Sequence, residues 1–310
     1  MTRSEFIRSA GAAAVLTAVG RSQGGEAPSV LAPSADYNAL QAEIDEVTPQ
    51  DFEAYLRDDW SWFGLTRKPA LQRLDDAFDK VLREVREAVV TEKPAVWLVY
   101  NMGVVVKTRE ACFSIDLKHR RGPELAPLLD FALITHNHDD HYTEAFYRAM
   151  NGAGKTVVSN FKDNYGAHRV KGGVGGYTRA VKTFKLKDVD VRTSLTDHNS
   201  YLVDFTTAFE IRVGNFTIYH SGDCSNLAKL NPTRRPDLWF VHPRCGLNVG
   251  DGVRKLNPQH TVIAHLNELG HARDRWRWTW QDGLAEAEAA RTAGGAALVP
   301  VWGDRVSLPR

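Results

Sequence analysis

The run Thr135-His136-Asn137-His138-Asp139-Asp140-His141-Tyr142 sets three imidazoles and two carboxylates within six positions, in a chain with eleven histidines among 310 residues. Clustering this tight needs a physical cause, and a metal is the simplest one. His136 and His138 are two apart, so an extended segment points both rings to one side, where their neutral nitrogens can bind one borderline cation. Asp140 and His141 follow after the chain turns. There a nitrogen and a hard carboxylate oxygen can face a neighbouring metal position. The preceding run Leu128-Leu129-Asp130-Phe131-Ala132-Leu133-Ile134 reads as a buried strand that delivers these side chains to a sheet edge, and sites are commonly built at such ends.

The pattern His136-x-His138-x-Asp140-His141 after an apolar strand resembles the signature of the metallo-β-lactamase superfamily of metal-dependent hydrolases. The resemblance implies a third histidine for the first metal, then an aspartate bridging both metals, then a last histidine for the second. His198, Asp223 and His265 follow in that order and at the family's separations. His198 sits in the polar turn Leu195-Thr196-Asp197-His198-Asn199-Ser200. Asp223 closes the alternating strand that begins at Phe216 and ends in Gly222-Asp223. His265 ends the buried strand Thr261-Val262-Ile263-Ala264, with His271 as its competitor. The expected metal set is therefore His136, His138, Asp140, His141, His198, Asp223 and His265. The stretch Tyr219-His220-Ser221-Gly222-Asp223 is similar to the branch that includes ascorbate-6-phosphate lactonase. Cys224, beside Asp223, reads as a small buried side chain. His220 and His242 read as supporting or core residues, with contact to substrate as the alternative for His220.

Two divalent cations about 3.5 to 4 Å apart can share a water and bring its pKa toward neutrality, giving a hydroxide nucleophile at pH 7. They also polarise the substrate oxygen, so no Ser or Cys nucleophile is required. Asp140 is the expected catalytic residue, orienting that hydroxide and accepting a proton while it ligates the second metal. Imidazole with carboxylate suits zinc, and the same donors accept manganese or iron. The function implied is a metal-dependent hydrolase that uses a metal-bound hydroxide on a small ester, lactone, amide or phosphoester. The second reading is a non-hydrolytic metal-binding or di-iron redox protein of the same fold. A nuclease ranks third, because no large basic insertion lies between His198 and His265. His220 and Asn267 are the candidates for contact with substrate, and Arg244, Asn248 and Lys255 are further polar residues of the loops where specificity would lie.

A composition of 43% hydrophobic and 25% charged residues is that of a globular protein. A net charge of +1 argues against a nucleic-acid footprint. No apolar run reaches the roughly 20 residues of a membrane span, so the expected partner is a small-molecule substrate. Residues 1–34 read as a signal peptide and linker: Arg3 and Arg8, a modestly apolar stretch from Ala10 to Val19, small residues at Ala18 and Gly20, then a Gly, Ser and Pro-rich segment. Thr2-Arg3-Ser4-Glu5-Phe6-Ile7 resembles a twin-arginine export signal, with Ser4 where the second Arg belongs. The expected address is export to the bacterial periplasm, or the cytoplasm if the N-terminus stays uncleaved. Cys112, Cys224 and Cys245 are an odd, dispersed set that implies no disulfide framework.

Residues 35–94 read as an N-terminal helical extension. Thr48-Pro49-Gln50-Asp51 starts one helix. Leu71, Leu74, Phe78, Val81, Leu82, Val85 and Val89 form the apolar stripe of another, leaving Asp75, Asp79, Arg83 and Glu87 outside. Trp60, Trp62 and Phe63 either pack on the catalytic domain or wall its cleft. From Ala95 short β-rich runs alternate with turns: 96–100, 104–107, 112–116, the strand before His136, 156–159, runs around Val181, Val203, Ile211 and Ile218, then 238–241 and 262–264. A helix near 284–292 and a strand near 297–301 follow. Two sheets packed face to face with helices outside, the four-layer αββα sandwich that the resemblance implies, would account for this order in an α/β catalytic domain spanning 95–310. Gly172-Gly173-Val174-Gly175-Gly176 lacks phosphate-loop spacing and reads as a flexible loop.

Overall fold

In the computed structural model, residues 37–57, 68–159 and 181–306 are described. The expected signal segment and linker, the group Trp60, Trp62 and Phe63, and the Gly172–Gly176 run lie outside them.

Strand β1 (Ala95–Tyr100) is buried at all six positions, which a strand can be only if both its faces are covered. Its alternating side chains do divide between two cores. Val96 and Leu98 join one cluster, and Ala95, Trp97 and Val99 join another. The same division holds for β4 (Phe131–Ile134), with Phe131 and Leu133 facing one way and Ala132 and Ile134 the other. β1, β2 (Gly103–Lys107), β3 (Cys112–Ile115), β4 and β5 (Thr156–Ser159) form one sheet in that order. It is antiparallel through β3 and parallel from β3 to β5.

The second sheet runs β12 (Ala296–Leu298), β11 (His260–Ile263), β10 (Leu238–Val241), β9 (Phe216–His220), β8 (Thr206–Val213), β7 (Val189–Thr196) and β6 (Thr183–Leu186). It is parallel from β9 to β12 and antiparallel from β6 to β9. Phe113, Phe131 and Leu133 of the first sheet meet Phe209, Ile218, Phe240 and Val262 of the second in the inner core. Helices cover the outer faces: α1 (Tyr37–Asp45), α2 (Pro49–Arg57), α3 (Pro69–Glu87), α4 (Glu144–Gly152), α5 (Val249–Leu256) and α6 (Trp280–Thr292). This is the four-layer αββα sandwich that the resemblance implies.

The caps follow from side-chain chemistry. At α2 the backbone N–H of Asp51 donates to Thr48 Oγ1 and that of Thr48 donates to the Asp51 carboxylate, at 3.2 and 2.9 Å. Thr279 and Asp282 make the same reciprocal box at α6. α3 buries the expected stripe, but it buries Asp75 too. Tyr55 Oη donates to Asp75 at 2.8 Å and the Arg120 guanidinium at 2.6 Å, so the carboxylate is paired rather than solvated. The run around Val203 is an exposed turn, and the strand beside it is the alternating Val189–Thr196. α6 starts at Trp280 and β12 ends at Leu298, so the helix is longer and the strand shorter than expected. Val89 lies beyond α3 and is exposed.

Candidate metal centre

Three loops leave the carboxyl ends of β4, β9 and β11 and meet above the inner core, joined by the turn after β7. They bring together the seven side chains singled out from the sequence. Nitrogens of His136, His138 and His198 lie within 4.8 Å of one another, and so do one ligand atom each of Asp140, His141, Asp223 and His265. Asp223 stands between the two groups. Its Oδ2 is 3.4 Å from His198 Nε2 and 3.5 Å from His265 Nε2, and its Oδ1 is 3.3 Å from His141 Nε2. His265 Nε2 is also 2.9 Å from Asp140 Oδ2.

The backbone is bent to achieve this. Gly222 has φ +54°, and a Cβ there would come within 2.7 Å of Thr206 Cγ2 and 3.0 Å of Thr135 Cβ, so the chain before Asp223 passes where only glycine fits. His265 has φ +58° and Asn101 φ +54°. The Asn101 carbonyl accepts from His265 N–H at 3.1 Å, and Asn101 Nδ2 donates to the Asp140 carbonyl at 3.1 Å. The β1–β2 turn thus braces two of the seven residues.

Asp116, directly after β3, is a site residue that no motif or spacing in the sequence marks. Its Oδ1 accepts Thr135 N–H at 2.7 Å, and its Oδ2 accepts Thr135 Oγ1–H at 2.7 Å and His141 Nδ1–H at 2.9 Å. Thr135 Oγ1 lies 3.0 Å from His136 Nδ1 and accepts its proton. These bonds keep Nδ1 protonated on both rings, so that each ring in its neutral form presents the Nε2 lone pair to the centre. His136 Nε2, His141 Nε2 and Asp223 Oδ1 are closed off from solvent with no hydrogen-bond partner. Buried polar atoms left this way are costly, and imidazole nitrogens with carboxylate oxygens are the donors a borderline divalent ion takes. The residues fit the group. Burial and the neighbouring His141 pull His136 well below the usual imidazole range. Burial lowers His141 too, but Asp140, Asp223 and Asp116 outweigh it and raise this group well above that range. Such a field of carboxylates favours any cation placed among them.

A cavity of about 370 Å³ opens onto the cluster. His138, Asp140, His198, Asp223 and His265 form its floor, and Asn199, His242, Arg244, Cys245, His271, Trp276 and Trp278 its walls. His242, expected as a supporting or core residue, is buried, stacks on His265 at 3.8 Å between centroids and lines the cavity. Cys245, not Cys224, is the cysteine beside the cluster, with Sγ near His198 and Asp223. Cys224 is buried, as expected, and all three cysteines are free. His220 is fully buried, faces the Met102 carbonyl at 3.1 Å and stacks on Phe240, away from the cavity wall. Asn267 is also buried outside that wall, at φ +54°. Arg244 lines the cavity; Asn248 caps α5 instead, and Lys255 donates to the Leu227 carbonyl. A histidine on an apolar strand carries no sign of which neighbour it meets, so His220 and His242 could not be told apart from spacing.

No protein-family model matches the chain, and no curated protein does. Solved structures do. A metallo hydrolase from Ignicoccus hospitalis KIN4/I superposes with TM-score 0.54 at 16% identity, over 70% of this chain and 99% of that one. An isothiocyanate hydrolase from Delia radicum gut bacteria gives TM-score 0.50 at 16% identity, over 69% and 98%. CmlA, a diiron β-hydroxylase from Streptomyces venezuelae, gives 0.51 at 16% identity, over 71% of this chain and 55% of CmlA. This chain therefore spans about half the length of CmlA. The likeness is one of fold, and the fold hosts metal-dependent hydrolases and a diiron hydroxylase alike.

Proposed function

We propose that this protein is a binuclear metal-dependent hydrolase of small molecules. The observation that carries the reading is the convergence of seven side chains from distant segments, four of them (His136, His141, Asp223 and His265) with a buried polar atom left unpartnered in the protein. His136, His138 and His198 would hold one cation, Asp140, His141 and His265 the other, with Asp223 shared. When bound, two such ions supply Lewis acidity and lower the pKa of a water between them. The chain's own groups do the rest. Asp116 and Thr135 keep His141 and His136 in the ligating tautomer. Asp140 directs Oδ2 at His141 and His265 and takes the proton of the attacking water at Oδ1, so it is the residue that carries general-base catalysis. The cavity walls seat a substrate with an ester, lactone, amide or phosphoester bond, and segment 95–310 is the catalytic domain with 35–94 as its helical extension.

Zinc best suits this donor set, with manganese and iron as alternatives. The likeness to a diiron hydroxylase favours one competing reading, an iron redox protein. Elemental analysis with assays on generic esters and lactones separates the two: two zinc or manganese ions with turnover supports hydrolysis, and tightly held iron with a visible spectrum and no turnover contradicts it. The basic and apolar N-terminus supports export to the periplasm, which N-terminal sequencing of protein from cell fractions tests. No described helix is long and apolar enough to cross a membrane.

A further inference from the structure

The segment after β11 carries an unusual concentration of left-handed backbone. Three of its non-glycine residues, His265, Asn267 and Trp276, have φ of +58°, +54° and +60°. For a side chain as bulky as tryptophan such a backbone is an outlier, and strain of this kind gathers where function over-determines the chain. Trp276 is also 63% exposed, among the few large apolar side chains left in solvent. Both Trp276 and Trp278 stand in the cavity wall.

What holds the segment is Arg277, between them. Its buried guanidinium donates to the carbonyls of His271 at 2.9 Å, Leu269 at 2.8 Å, Val47 at 2.8 Å and Ile44 at 3.2 Å. Two of these acceptors belong to the wall segment and two to the end of α1 and the turn after it. The planar fork of arginine suits four fixed acceptors as no other side chain does. Glu268 anchors the same segment from beneath, accepting from Lys118 Nζ at 3.0 Å, Tyr100 Oη at 3.1 Å and His271 N–H at 2.8 Å. Arg244 is the cation among the described wall residues. It faces Asp282 and Glu286, each at 3.3 Å, and its guanidinium lies over the Trp278 ring at 5.5 Å, so its charge is already matched.

Resting on the hydrolase reading above, we propose that Trp276 and Trp278 seat a flat, uncharged aryl group of the substrate. Arg277 is the positioning residue that ties this seat to the N-terminal helices. Indole faces offer large apolar area and favourable stacking geometry to such a ring.

The test uses the metal-loaded full chain and two esters of matched reactivity, 2-phenylethyl acetate and ethyl acetate, followed by acid release, with 2-phenylethanol binding followed by tryptophan fluorescence. The phenyl ester should be favoured in kcat/KM by about tenfold or more, the size a hydrophobic subsite gives. Trp276→Ala, at an exposed position, should remove most of that preference through KM. Arg277→Met should do the same while both metals stay bound. Equal kcat/KM for the two esters, a preference that survives Trp276→Ala, or an Arg277→Met effect confined to kcat or to metal content would overturn the proposal. If neither ester turns over, the hydrolase reading falls on its own, and fluorescence decides the seat: 2-phenylethanol binding weakened by Trp276→Ala supports it, and no binding overturns it.

Discussion

Asp223 touches more of the centre than any other residue, lying within 4.0 Å of nitrogens on His136, His141, His198, His242 and His265. Its approach depends on Gly222, so Gly222→Ala should lower stability by about 3 kcal/mol through left-handed strain and overlap with Thr206 and Thr135, measured by denaturant unfolding of the metal-free protein. Asp140→Ala should cut kcat/KM by about a thousandfold or more for any substrate the wild type hydrolyses, while circular dichroism shows the fold retained. Asp116→Asn keeps shape but weakens the grip on His141, and metal affinity should fall about 10- to 100-fold, read by chelator competition. The seven ligating candidates were legible because the sequence clusters four of them and orders the other three. Asp116 was not. It meets Thr135 only through the parallel pairing of β3 and β4, and periodicity describes one strand at a time.

At the level of elements, α2 and α3 are tied to the loop after β3 by a buried chain of polar groups. Arg121 N–H donates to His119 Nδ1 at 3.1 Å, His119 Nε2 faces Tyr55 Oη at 2.9 Å, and Tyr55 donates on to Asp75. His119 is fully buried and stacks on Phe78 at 4.1 Å. Burial first, then the charges of Arg120 and Arg121, push its pKa down to about 3. An unfolded chain titrates this group near pH 6.5, so between those values the unfolded state holds the extra proton. Its contribution is whole above pH 6.5 and is lost as acid is added toward pH 3, on the order of a few kcal/mol. His119→Gln should therefore flatten the fall in unfolding free energy from pH 7 to pH 4, compared with wild type on metal-stripped protein. An equally steep fall in both would refute the assignment. Capping chemistry made α2 readable and the apolar stripe made α3 so, whereas α5 went unread. Its Val249-Gly250-Asp251-Gly252 start is poor for helix, since each glycine costs about 1 kcal/mol. Gly252 is there because it lies flat on the Trp239 ring, where a Cβ would overlap. Tertiary packing overrides local preference at that point.

At the scale of the molecule, the two sheets, the outer helices and the line of strand ends under the cavity form one support for the centre. The αββα layering followed from strand order and the family resemblance. The way α1 reaches across to the cavity wall through Arg277 did not, because Ile44 and Arg277 are remote in sequence and buried arginine has no local signature. Removing bound ions with a chelator should lower the thermal midpoint, since ligands that bind only the folded state stabilise it by mass action, and a scan at rising zinc concentration checks this. The most direct test of the account is anomalous diffraction from crystals of the metal-loaded protein. It predicts two peaks in one pocket, the first among His136, His138 and His198, the second among Asp140, His141 and His265, with Asp223 between them. A single peak, or peaks away from these residues, would contradict it.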